Sequence, residues 1–175
     1  MRRSARDRGR RSAAAGVVAL GLAACGAIPW DRGDGRINAT WTGAEKGSIS
    51  ASAAAVWCSR ARTAQLTAVV GDTGIGMLIH PADSLIAGRY PVMRPGDAQS
   101  KAPAASIGLR LINPTAVSGY QSQTGALVLE QVESGRISGR FEATARSATG
   151  AVGTIRVSGR LVNVSLARGG AKCGR

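Results

Sequence analysis

At 175 residues the chain is long enough for one domain, or two at the outside, and too short for a large multidomain enzyme. Its 44% apolar content argues against full disorder, and 24 glycines without an every-third spacing exclude collagen. A single histidine excludes zinc sites built on two, while 23 basic against 10 acidic residues, a formal net charge of +13, turn attention to anionic partners.

The first element is a leader. Residues 1–12 carry six arginines and one acid, Asp7, and an uncharged run follows from Ser12 to Cys25. About 14 residues are too few to span a hydrocarbon core that needs ~20. A basic head, a short apolar stretch and small residues at its end predict a secretory signal. Two arginine pairs, Arg2-Arg3 and Arg10-Arg11, raise twin-arginine export, but neither is followed by that pathway's pattern, so the general route is preferred.

The run closes on Leu22-Ala23-Ala24-Cys25-Gly26, which resembles the lipobox of bacterial lipoproteins at all four of its positions. The resemblance implies cleavage between Ala24 and Cys25, a diacylglyceryl group on the Cys25 thiol, and a further palmitate-type acyl chain on the new amino terminus. Several acyl chains anchor a protein stably where one myristoyl-length chain is marginal. By likeness to Gram-negative lipoproteins, the lack of Asp after Cys25 implies sorting to the outer membrane, facing the periplasm or the cell surface. Residues 1–24 are then the signal peptide. It takes six arginines and one acid with it, so residues 25–175 keep 17 basic and 9 acidic residues and a charge of about +8.

Residues 25–46 hold Pro29, Gly33, Asp34, Gly35 and Asn38 and predict a flexible, lipid-anchored tether, with residues 47–175 as the folded domain. From Gly47 the hydrophobic period becomes two. Ile49, Ala51, Ala53 and Ala55 alternate with serines, then Leu66, Ala68 and Val70 share a face, then Ile75, Met77 and Ile79. Gly88 to Val92 predicts a short edge strand, because Pro91 cannot donate to a ladder. Met93 to Pro103 reads as a loop. Ile107, Leu109 and Leu111 form the next strand, followed by one around Leu127 and Leu129. Ile137, Gly139, Phe141, Ala143 and Ala145 face one way on the strand after the turn at Glu133-Ser134-Gly135. Ile155, Val157, Gly159 and Leu161 do the same, with the phase passing to Val162, Val164 and Leu166 through a bulge near Leu161. The pattern predicts an all-β fold, an antiparallel β-sandwich or small barrel of about seven or eight strands.

With Cys25 assigned to lipid, Cys58 and Cys173 are an even pair in an exported protein and predict one disulfide. They lie 115 positions apart. Chain entropy allows ~4–5 kcal/mol for so long a loop. A redox pair would call for a Cys-x-x-Cys spacing, which is absent.

The hairpin from Gly125 to Ala145, with Ile137-Ser138-Gly139-Arg140-Phe141 at its centre, resembles a recurrent pattern in uncharacterised bacterial β-sandwich lipoproteins, as does Gly88-Arg89-Tyr90-Pro91-Val92. The likeness covers roughly the last 90 residues and implies fold and location, not chemistry.

Candidate chemistry is sparse. Asp72-Thr73-Gly74 resembles the aspartic-protease motif, in which two carboxylates share a proton, and makes a secreted hydrolase the alternative function. Gly71 stands where an apolar residue belongs, so a hairpin turn is the preferred reading. His80, Asp83 and Ser84 lie too close along the chain to converge as a triad. Neither a metal nor a cofactor is predicted. Arg136, Arg140, Arg156 and Arg160 fall on the outward phases of two adjacent strands, and pairing of those strands predicts a cationic patch for anionic glycans or lipid headgroups. Nucleic acid is not expected, since aromatics for base stacking are scarce. The leading expectation is a non-catalytic, lipid-anchored envelope lipoprotein, bound to the membrane through its N-terminal lipid.

Overall fold

The computed structural model describes residues 35–113, 116–148, 153–169 and Cys173. The leader, the Ala24–Cys25 cleavage position and the lipidation candidate Cys25 lie outside those residues.

The fold is all-β. Among the described residues nine strands follow in order: β1 (Arg36–Gly43), β2 (Gly47–Cys58), β3 (Thr63–Val70), β4 (Thr73–His80), β5 (Gly88–Met93), β6 (Ala104–Asn113), β7 (Ala116–Glu133), β8 (Arg136–Ser147) and β9 (Thr154–Arg168). One short helix, α1 (Pro95–Ser100), lies between β5 and β6. In space the strands run β1-β2-β3-β4-β6-β5-β7-β8-β9, and β9 pairs back onto β1, so the sheet closes into a ring. Closure removes the exposed edges that invite aggregation.

The all-β expectation is met, and five finer details differ from the sequence reading. Residues 36–43 are a strand, not part of a tether. Ile37, Ala39 and Trp41 alternate into the core with at most 4% of their surface exposed, and β1 fills the gap between β2 and β9. The glycines and Asp34 just before it disguise so short an alternation as turn chemistry. The ring therefore has nine strands rather than seven or eight. It is also not wholly antiparallel: β2 meets β9 in parallel over Ala55–Trp57, and β5 meets β6 in parallel at Val92. The expected loop at 93–103 contains α1, which carries Pro95 at its start and Asp97 in its first turn, the placement a helix N-terminus favours. Finally, Val162 points outward and is 46% exposed. Asn163 takes a left-handed φ of 53° beside it, so the bulge lies at Val162–Asn163 and returns Val164 to the core.

The ring interior holds Leu66, Ile75, Ile79, Ile107, Leu127 and Ile155, each essentially inaccessible to water. Each such side chain stabilises the fold by about 1.5–3 kcal/mol. Curvature comes from strands that change partner. β2 pairs with β1 through residues 47–52 and with β3 through 53–58. Its inward alanines, Ala51, Ala53 and Ala55, leave room for the bend. β7 pairs with β6 through 116–121 and with β5 through 124–129. At that switch the ladder breaks, and Ser122 repairs it. Its buried hydroxyl accepts the Ile107 N–H at 3.0 Å and donates to the Met93 carbonyl at 2.5 Å. Without it a buried backbone donor would have no partner.

Glycine is obligatory where neighbouring strands crowd. A Cβ on Gly159 would lie 2.3 Å from the Asn38 carbonyl and 2.6 Å from the Phe141 ring, which folds over it from the facing position on β8. An aromatic covering a cross-strand glycine restores the packing that the missing side chain forfeits.

The ends are tied separately. Cys58, at the end of β2, is disulfide-bonded to Cys173 with a Cα–Cα distance of 5.3 Å. Beside the bridge the Gly169 N–H donates to the Trp57 carbonyl at 2.8 Å. Toward the other end the Tyr120 hydroxyl donates to Glu45 at 3.0 Å. Burial, and then the adjacent carboxylate, raise that phenol above its ordinary value of 10.0.

Candidate functional site

Outward side chains on paired strands line up in rows across the ring, because the pleat repeats every second residue. One such row runs Ser50, Asn38, Arg160, Arg140, Val128, Arg89 across β2, β1, β9, β8, β7 and β5. The next row holds Ser48, Thr40, Ser158, Glu142 and Ala126 on the first five of those strands. Together the two rows line a shallow open groove of about 810 Å³.

The strongly polar groups sit at the centre. Arg140 and Arg160 are direct cross-strand partners, a placement that brings their Cβ atoms to about 4.5–5.5 Å and sets like charges against each other. Glu130 relieves part of this repulsion by accepting a hydrogen bond from Arg140 Nη1. Among the described residues neither Arg160 nor Arg89 is ion-paired. At the β2 end of the row, the Ser50 hydroxyl donates to Asn38 Oδ1 at 2.7 Å. That bond orients the Asn38 amide, which lines the groove beside Arg160. The groove thus offers guanidinium donors, an amide, several hydroxyls and the Glu142 carboxylate on a stiff sheet.

The four arginines singled out from the sequence all remain on the outer surface, and β8 does pair with β9. They do not form one cluster. Arg140 and Arg160 share the groove. Arg156 stands four residues before Arg160 on β9, between Thr42 and Thr144, over a separate hollow of about 230 Å³. Arg136 lies beyond the Val162–Asn163 bulge, where its guanidinium donates to the Asn163 carbonyl at 3.4 Å. The sequence reading missed Arg89, Asn38 and Ser50. Arg89 carried a usable signal, since it is out of phase with inward Tyr90, but only strand order brings β5 next to β7.

The other candidates stay apart. Asp72 sits at the exposed turn between β3 and β4, and its carbonyl accepts the Ile112 N–H at 2.9 Å. The Asp83 carboxylate is taken by Arg62 at 3.0 Å. His80 ends β4 with its Nε2 buried and without a partner among the described residues, and burial lowers its pKa from the ordinary 6.5. Ser84 is exposed. Among the described residues no group of three or more His, Cys, Asp or Glu side chains has the proximity to hold a metal ion. No family model, no curated protein and no solved structure matches the chain.

Proposed function

We propose that the protein is a non-catalytic, lipid-anchored lipoprotein of the bacterial cell envelope, whose folded ring binds an anionic ligand on its outer face. The observation that carries the binding part is the row joining Arg160, Arg140 and Arg89 in one groove. Two cations placed face to face work against the stability of the bare sheet. Such a placement is understandable when a ligand supplies the missing negative charge. The anchoring part rests on Leu22 to Gly26 and on the disulfide, which suits an oxidising compartment. The membrane is then a partner through the Cys25 lipid, most simply at the outer membrane.

Two measurements test this reading. Labelled palmitate fed to a bacterium expressing the full chain is expected to enter the protein and to be lost in Cys25→Ser. Label retained in that variant, or a mature protein that keeps residues 1–24, overturns the anchor. The lipidated chain, purified in detergent, is expected to be held on immobilised heparin and released by salt. The double variant Arg89→Ser, Arg160→Ser is expected to elute at lower salt, and equal retention of the two proteins overturns the anion site.

A further inference from the structure

We infer that the groove's ligand is an acidic glycan lying across the strands, rather than an anionic lipid surface. This rests on the anion-binding reading above and narrows it. Three features decide between the two chemistries.

The first is shape. The arginines border a shallow open groove, along which a single polysaccharide chain can lie. The second is the composition of the rows. Glu142 lies between Ser158 and Ala126 in the row beside Arg140 and Arg160, and Glu130 holds Arg140 at the rim. Carboxylates among the cations weaken attraction to a sheet of phosphates. They are useful to a ligand that carries hydroxyls, because a carboxylate accepts hydrogen bonds from them. The oriented Asn38 amide and the flanking Ser48, Thr40 and Ser158 suit the same hydroxyl-rich partner. The third is spacing. Arg160 and Arg140 are on adjacent strands, and Arg89 is two strands beyond Arg140. At about 4.8 Å per strand the cations are spread over roughly 14 Å. That spread matches acid groups repeated along a chain and not a single headgroup, and the interspersed Glu142 and Glu130 set the pattern apart from one suited to a continuous sheet of phosphates.

Titration calorimetry on the lipidated full chain in detergent tests the assignment, with polygalacturonate as the acidic glycan, dextran as the neutral one and glycerol phosphate as the headgroup alone. Polygalacturonate is expected to bind, and neither dextran nor glycerol phosphate to compete with it at equal concentration. Arg160→Ser and Arg89→Ser each weaken it about tenfold, the loss of one charge-assisted hydrogen bond. The decisive variant is Glu142→Gln. Removing a negative charge tightens any purely electrostatic partner, but it weakens a glycan that gives its hydroxyls to that carboxylate. Weaker polygalacturonate binding in Glu142→Gln supports the inference. Tighter binding, or effective competition by glycerol phosphate, overturns it while leaving an anion site in place. Binding that is indifferent to both arginine variants overturns the anion site itself.

Discussion

The two broad outer faces of the ring cover one core and differ in their density of charge. On one side the rows read Ser50, Asn38, Arg160, Arg140, Val128, Arg89, dense with donors. On the other, across β3, β4, β6 and the first half of β7, they read Thr67, Gly76, Gly108, Gln121 and Val69, Gly74, Arg110, Gly119. Glycine is frequent in both halves for different reasons. A Cβ on Gly76 or Gly108 would meet nothing nearer than 3.8 Å, so glycine there is optional. On the groove side, a Cβ on Gly159 would run into backbone and the Phe141 ring. Gly76 and Gly108 stand on the outward phase of their strands, whereas Gly159 shares the inward phase of Val157 and Leu161, so the crowding lies beneath the groove rows. Close strand packing holds side chains in fixed relation, which a recognition surface needs.

Substitutions that treat the two halves alike break this contrast if it is false. The largest effect is expected from the bridge that ties β2 to the C-terminus. Cys58→Ser lowers unfolding stability by about 2–5 kcal/mol in denaturant titrations, and an unchanged midpoint would mean that the ring closes without its staple. Next come single atoms at crowded positions. Ser122→Ala strands the Ile107 N–H and costs about 1–3 kcal/mol, read from the same curves. Gly159→Ala is expected to cost about 1–3 kcal/mol by overpacking. Gly76→Ala, the same change at an open outward position, is expected to stabilise by up to about 0.5–1 kcal/mol. Equal effects at the two glycines would remove the crowding beneath the groove as a cause.

The smallest effect belongs to His80. Burial lowers its pKa in the folded protein, so the unfolded chain takes up the proton first. Stability is therefore unaffected by this group well above pH 6.5 and declines as the pH falls below it. Stability measured against pH is expected to be flatter in His80→Gln over that range, and superimposable profiles would remove burial of the imidazole as a cause.

Where inward residues are apolar, the pattern was legible. The alternation from Ile137 to Ala145 and from Ile155 to Leu161 matches the burial of β8 and β9 residue by residue, apart from Gly159, which stays partly open. The first half of β7 was hidden because its inward side chains are Ser118, Tyr120 and Ser122, two of them small and polar. They face the core at the place where ladder bonds are missing, so hydrogen bonding takes over from hydrophobicity as the organising interaction. Half of the arginine patch was legible for a similar reason. Phase along β8 and β9 put Arg140 and Arg160 outward, but a bulge diverts Arg136, and no local pattern announces that β5 delivers Arg89.

The sequence by itself determined that this chain folds as strands and which residues face inward along most of them. Those properties follow from periodicity and residue type, which act over a few neighbouring positions. Only the tertiary structure decided that a ninth strand closes the ring, that Cys58 reaches Cys173, and that Arg89, Asn38 and Ser50 join Arg140 and Arg160 in one groove. Strand order and register are set by the sum of many long-range contacts. Side chains more than a hundred residues apart, such as Ser50 and Arg160, come into one row only once every pairing between them has been made.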